Sequence, residues 1–219
     1  VHHLICDGTF LRHRIGIYAM MDADTKQLIF AAYDLPEGGS KLFSAYRTLA
    51  SEGLSPDSVT VDGNPQQIKY LHQVWPSLSL QRCVVHVQRQ GLSWCRRHPK
   101  RTDVKRLRKL FLRLSFIKTS AQAQQFCHDV QVWEQRFGTM IDQSSDRGWV
   151  FSDLVRARSM LLKALPDLFH FVTDPHIPNS TNALEGYFSR LKEHYRYHRG
   201  LVVHHRNAYF TWYFYLMSH

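Results

Sequence analysis

Ser58-Val59-Thr60-Val61-Asp62-Gly63-Asn64-Pro65 sets four β-favouring residues in front of an acid, a glycine and a proline suited to open a helix. A strand that gives way at once to a helix belongs to an α/β sheet. Asp62 then stands at the strand's carboxyl end, where open α/β sheets place their ligands. An isolated Asp-Gly pair also reads as a plain turn, so the flanking segments decide. Upstream, His3-Leu4-Ile5-Cys6-Asp7-Gly8-Thr9-Phe10 and the apolar runs 15–21 and 28–33, the latter two separated by the turn Asp22-Ala23-Asp24, read as a three-stranded meander. A helix over 40–51 follows. Beyond Asp62 the pattern predicts a helix over 66–75, a short strand over 78–82 and a helix from Cys83 to about His98. The resulting order, βββαβαβα, is a mixed sheet with flanking helices.

Within the first strand Ile5, Asp7 and Thr9 share one face while Leu4, Cys6 and Phe10 share the other. An ionised Asp7 therefore interrupts a packable surface and calls for a partner or a metal. A third acid, Glu185, follows Asn179-Ser180-Thr181-Asn182-Ala183-Leu184. Asn182 with Glu185 three positions later resembles a capping box, which makes a helix-start glutamate the plain alternative. Leu184, Tyr187, Phe188, Leu191 and Tyr195 recur at helical spacing and mark a buried face. At about 100° per residue Glu185 lies on its flank together with Lys192, Arg196 and Arg199. An acid followed by a line of cations suits a metal ion beside a phosphate backbone. Asp22, Asp24 and Asp34 read as turn and strand-end acids, and His194 and His198 as cations facing phosphate or plain surface residues.

The 219 residues, 44% of them hydrophobic, are enough for one sizeable core or one core with an inserted subdomain. The net charge of +10 is concentrated. Residues 100–113 carry Lys100, Arg101, Lys105, Arg106, Arg108, Lys109 and Arg113 against Asp103, and residues 190–206 carry five cations against Glu193. Two such stretches imply a polyanionic partner, with nucleic acid leading. The alternative for the first is a solvated helix face above the buried stripe Val104, Leu107, Leu110 and Leu114. Residues 100–172 read as helix throughout, in segments 100–116, 120–137 and 153–172, and 173–178 form a linker. The domain reading is therefore 1–99, an all-helical insertion 100–175, and closing helices 176–219. No run reaches the roughly 18 apolar residues of a membrane span. The chain starts without Met and almost inside a strand, as a fragment lacking an upstream region would, with no signal peptide. Four scattered cysteines make no disulfide framework and point to a reducing, cytoplasmic setting.

Asp7-Gly8-Thr9, Val61-Asp62-Gly63, Gln81-Arg82-Cys83-Val84-Val85-His86 and Ser180-Thr181-Asn182-Ala183-Leu184-Glu185, in this order, resemble the catalytic domain of Mutator-like insertion-sequence transposases. The resemblance covers nearly the whole chain. It implies an RNase H-like sheet interrupted by an all-α insertion, the catalytic acids Asp7, Asp62 and Glu185, and Cys83 and His86 as an accompanying pair. It also implies transposon-end and target DNA as partners, a homo-oligomer on DNA, and a bacterial, DNA-associated protein. Cys83-x-x-His86 and Cys95-x-x-His98 mimic zinc ligands, yet on one helix the two cysteines stand about 18 Å apart, too far for one tetrahedral ion.

An all-carboxylate set suits hard ions such as Mg²⁺ or Mn²⁺. Two ions about 3.5 to 4 Å apart can activate the nucleophile and neutralise the leaving oxygen, with Asp7 bridging them and Asp62 and Glu185 each holding one. Lys105, Arg106, Arg108, Lys109, Arg113, Lys192, Arg196 and Arg199 are the expected DNA contacts. Cleavage to a 3′-hydroxyl followed by strand transfer is the first expectation. An RNase H-like nuclease without joining, or an inactive DNA-binding relative, are the alternatives.

Overall fold

A computed structural model describes residues 1–11, 15–198 and 200–217. Its strands are β1 (His3–Phe10), β2 (Gly16–Asp22), β3 (Leu28–Tyr33), β4 (Ser58–Val61) and β5 (Ser79–Arg82). Its helices are α1 (Ser40–Ser51), α2 (Pro65–Val74), α3 (Val84–Cys95), α4 (Thr102–Arg113), α5 (Ser120–Asp142), α6 (Trp149–Ala164), α7 (Asn182–Arg196) and α8 (Val203–Met217). They divide into two compact units, Val1–Gln81 with His176–His219, and Arg82–Pro175. Among the described residues no helix is long and apolar enough to cross a membrane.

The first unit is α/β, built on a mixed five-stranded sheet in the order β3-β2-β1-β4-β5. β2 runs antiparallel to both β1 and β3, while β4 pairs parallel with β1. Alternation along central β1 supplies two cores. Leu4 and Cys6 join Tyr18, Val59 and Val61 under Leu42 and Tyr46 of α1 and Leu71 of α2. Ile5 joins Ile17 and Ala19 under Leu184, Phe188 and Leu191 of α7 and Phe210 of α8. Both faces of β1 are therefore covered, and an acid on it is held in a mostly apolar layer.

Local chemistry sets the helix starts. Asn64 caps α2, accepting from the Gln66 and Gln67 amides at 3.0 and 3.3 Å, with Pro65 in the first turn. The Asn182–Glu185 capping box does not form. Thr181 takes the cap position, so Asn182 is already helical, and the Glu185 amide donates to the Thr181 carbonyl at 3.1 Å.

The second unit is all-helical, with one core fed by α3, α4, α5 and α6. The sequence reading cut the chain at 99/100; the compact units divide after Gln81. Val84, Val87 and Cys95 of α3 are buried in this helical core, and a Cβ on Gly91 would stand 2.2 Å from the Phe111 ring of α4. The absence of a side chain at Gly91 is what lets the two helices close. α5 starts in a capping box between Thr119 and Gln122 and runs to Asp142, past the expected end at 137. α6 begins at Trp149 rather than 153 and stops at Ala164, because Pro166 cannot continue the backbone hydrogen bonding; 3-10 turns follow at Leu165–Asp167 and His170–Val172.

Candidate metal centre

Parallel pairing of β1 and β4 brings the first two acids together. Ile5 is in register with Thr60, and Asp7 and Asp62 each follow two residues further along their chains. Asp7 is 5% exposed, and its Oδ1 accepts from the Gly8 amide at 2.8 Å. Asp62 directly follows β4. Its Oδ1 accepts from the Asn64 amide at 3.0 Å, while Gly63, at φ 113°, turns the chain into α2.

A third carboxylate, Glu37, joins them: Asp7, Glu37 and Asp62 each offer an oxygen, and the three oxygens lie within 4.8 Å of one another. The sequence reading passed over Glu37, and the signal that would have found it is topological. In a meander the first and third strands end at the same edge, so the β3–α1 connection leaves beside the end of β1. Three glycines make room for it there. A Cβ on Gly16 would stand 2.8 Å from the Pro36 backbone, one on Gly8 2.7 Å from Glu37 Cγ, and one on Gly38 (φ 84°) 3.2 Å from Asn64 Oδ1. The Glu37 loop is thus fitted against the segments that carry Asp7 and Asp62.

Three carboxylates at this separation repel one another unless a cation or protons intervene. Burial pushes the neighbouring Cys6 thiol up to about 12, and the charges of Glu37 and Asp7 push the same way. Cys6 packs in the apolar core under α1 and α2, on the opposite face of β1 from Asp7. The donor set is oxygen only, which suits Mg²⁺ or Mn²⁺ rather than a thiolate-seeking ion.

Glu185 is not one of these three. It lies half-buried in the first turn of α7, and α7 packs on the Asp7 face of the sheet through Leu184, Tyr187, Phe188 and Leu191. Two contacts fix the course of that helix. Thr60 donates its hydroxyl to the Pro178 carbonyl at 2.7 Å just ahead of α7, and Lys192 Nζ donates to Thr9 Oγ1. The chain thus meets the sheet at Thr60 just ahead of α7 and at Thr9 near Lys192. Glu185 and Lys192, seven residues apart, share a side of the helix two turns apart.

The spare acids serve turns: Asp22 accepts from the Asp24 and Thr25 amides at 2.8 and 2.9 Å, and Asp34 faces Lys41 at 3.6 Å. Cys83, buried, precedes α3, and the half-buried His86 lies in its first turn, both in the helical unit. Cys95, at the far end of α3, is buried in the helical core. On α4 the expected DNA contacts part company. Lys105, Arg106 and Lys109 are exposed, whereas Arg108 donates to the Arg96 carbonyl at 2.7 Å and Arg113 is paired with Asp129. Arg196 is exposed on α7, and Arg199 lies outside the described residues. Compared with protein-family models and with curated proteins, the chain matches none.

Proposed function

We propose that this chain is the catalytic part of a transposase of the Mutator-like insertion-sequence kind, cutting DNA and joining the freed 3′-hydroxyl to a target with two Mg²⁺ or Mn²⁺ ions. The observation that carries the reading is the convergence of Asp7 and Asp62, from two parallel strands, with Glu37 at one edge of the sheet. The strand order β3-β2-β1-β4-β5, with three antiparallel strands followed by a parallel one, agrees with an RNase H-like core.

In this reading Asp7, Asp62 and Glu37 hold the ions, and Glu185 adds a ligand from α7. Bound divalent ions supply an activated water and neutralise charge on the phosphate. The Lys192 ammonium, anchored on Thr9 two residues from Asp7, holds the scissile phosphate next to the acids. Arg196, one turn on, continues the cationic track for the DNA backbone. Burial and the Gly8 amide hold the Asp7 carboxylate in place. Gly63 and Asn64 orient Asp62 through the Asn64 amide. The two DNA ends of a transposition event call for at least two copies, and we take the working form to be a homo-oligomer on DNA.

The test is a strand-cleavage and strand-transfer assay with labelled transposon-end DNA in Mn²⁺, comparing wild type with Asp62→Asn, Glu185→Gln and Glu37→Gln. The reading expects Asp62→Asn and Glu185→Gln to lose both products and Glu37→Gln to be impaired. Full strand transfer by Asp62→Asn would falsify it. Cleavage without any joined product would instead support the nuclease reading.

A further inference from the structure

We propose that Tyr18, Tyr46 and Gln67 form a buried positioning network that sets the spacing of the three carboxylates; the inference rests on the metal reading of that site. The three side chains sit at 0% exposure in the core between the sheet and helices α1 and α2. Gln67 Nε2 donates to the Tyr18 hydroxyl at 2.7 Å and to the Tyr46 hydroxyl at 3.4 Å, and the two hydroxyls are bonded to each other. Burial holds both phenols in their protonated form. Among the described residues Gln67 Oε1 has no hydrogen-bond partner.

A buried, incompletely satisfied polar cluster costs stability, and apolar side chains of the same shape would fill the space without that cost. Leu4, Leu42, Val61 and Leu71 already do so around it. What the cluster adds is connection. Tyr18 lies opposite Gly8, the neighbour of Asp7, in the β1–β2 ladder. Tyr46 is on α1, which begins three residues after Glu37, and Gln67 is in the first turn of α2, which Asp62 leads into. Each member thus belongs to an element that carries or abuts one carboxylate. Hydrogen bonds have a narrow range of length and angle, whereas apolar contacts tolerate sliding. The network therefore fixes separations that a purely apolar core would leave loose. Tyr18, Tyr46 and Gln67 act through these elements and touch no reacting atom.

The test replaces the network by apolar groups of similar shape, Tyr18→Phe with Tyr46→Phe and Gln67→Leu, in the 219-residue chain. Mn²⁺ affinity is read by paramagnetic resonance of the free ion, and thermal unfolding is followed in EDTA. The expected result is an unfolding temperature equal to or above that of wild type, with Mn²⁺ bound about tenfold more weakly. Affinity within twofold of wild type overturns the inference, and so does a loss of affinity that merely tracks a loss of stability. If the triple variant fails to fold, Tyr46→Phe alone, which deletes one hydroxyl, is judged by the same pair of readings. Wild-type protein that takes up no Mn²⁺ overturns the metal reading and this inference together, whereas tight binding unaltered in the variants overturns this inference alone.

Discussion

The helical unit ties its helices with ion pairs, whereas the sheet unit gathers three carboxylates at one edge. In the helical unit Arg158 bridges Glu134 and Asp142, Arg96 meets Asp153 at 3.0 Å, and buried Asp103 is held by Arg101 at 2.8 Å. In the sheet unit three carboxylates share one edge, and Thr60, Gln67 and Gln81 are buried near an otherwise apolar layer. Paired charges and a continuous core are what stability alone would select. Three carboxylates within reach of one ion make sense where a ligand is to be held. The contrast makes the sheet unit the seat of chemistry in our proposal, with the helical unit as a stable carrier of surface cations.

The largest expected effect removes one of the crowded charges. Asp62→Asn should cut metal-dependent strand cleavage at least about a thousandfold, roughly 4 kcal/mol of transition-state stabilisation. Lowered stability together with lost cleavage would mean that Asp62 serves the fold rather than a ligand. Next, Gly91→Ala drives a methyl into the Phe111 ring and should cost the helical unit about 2 kcal/mol, seen as a lower unfolding midpoint in urea. Mn²⁺ affinity should not move; if it falls as far, the division of labour between the units is wrong.

Gly38→Ala tests the sheet unit without touching a carboxylate. At φ 84° and 3.2 Å from Asn64, an alanine costs about 1 kcal/mol and displaces the Glu37 loop. Mn²⁺ binding should weaken more than thermal stability. A smaller effect separates spent from available cations. Lys105→Gln with Lys109→Gln should weaken DNA binding across sequences and flatten its salt dependence by about two. Arg113→Gln should leave DNA affinity alone, because Arg113 is committed to Asp129.

The smallest effect is the acid dependence of that pair. The hydrogen bond from Arg113 holds the Asp129 carboxyl below the usual carboxylate range. Its contribution is therefore complete above the unfolded carboxylate's value and is lost as pH falls through the lowered folded value. The stability gap between wild type and Arg113→Gln, under about 1 kcal/mol for a partly exposed pair, should be constant from pH 7 to about 5 and close below about pH 4. A gap that widens on acidification would contradict the pairing.

Much of the sheet was legible because strands and helix starts are local. Alternation in 3–10 and the Asp62-Gly63-Asn64-Pro65 sequence need no distant partner to be read. Helix lengths were less legible: α5 overran its expected end, and α6 began earlier and stopped sooner than periodicity indicated. α3 joins the helical core through Val84, Val87 and Cys95 and the close approach of Gly91 to Phe111, and no local pattern in the segment announces that partner.

The sequence by itself determined which residues are chemically able to form an acidic site, and the strand in which Asp7 interrupts the apolar run. Composition, alternation and turn chemistry act over a few residues and can be read in line. Only the tertiary structure decided which acids meet. Parallel register puts Asp7 beside Asp62, a meander returns Glu37 to the same edge, and three glycines leave the space it needs. Those are distances between segments remote in the chain, set by packing and ladder geometry, and no single stretch of sequence contains them.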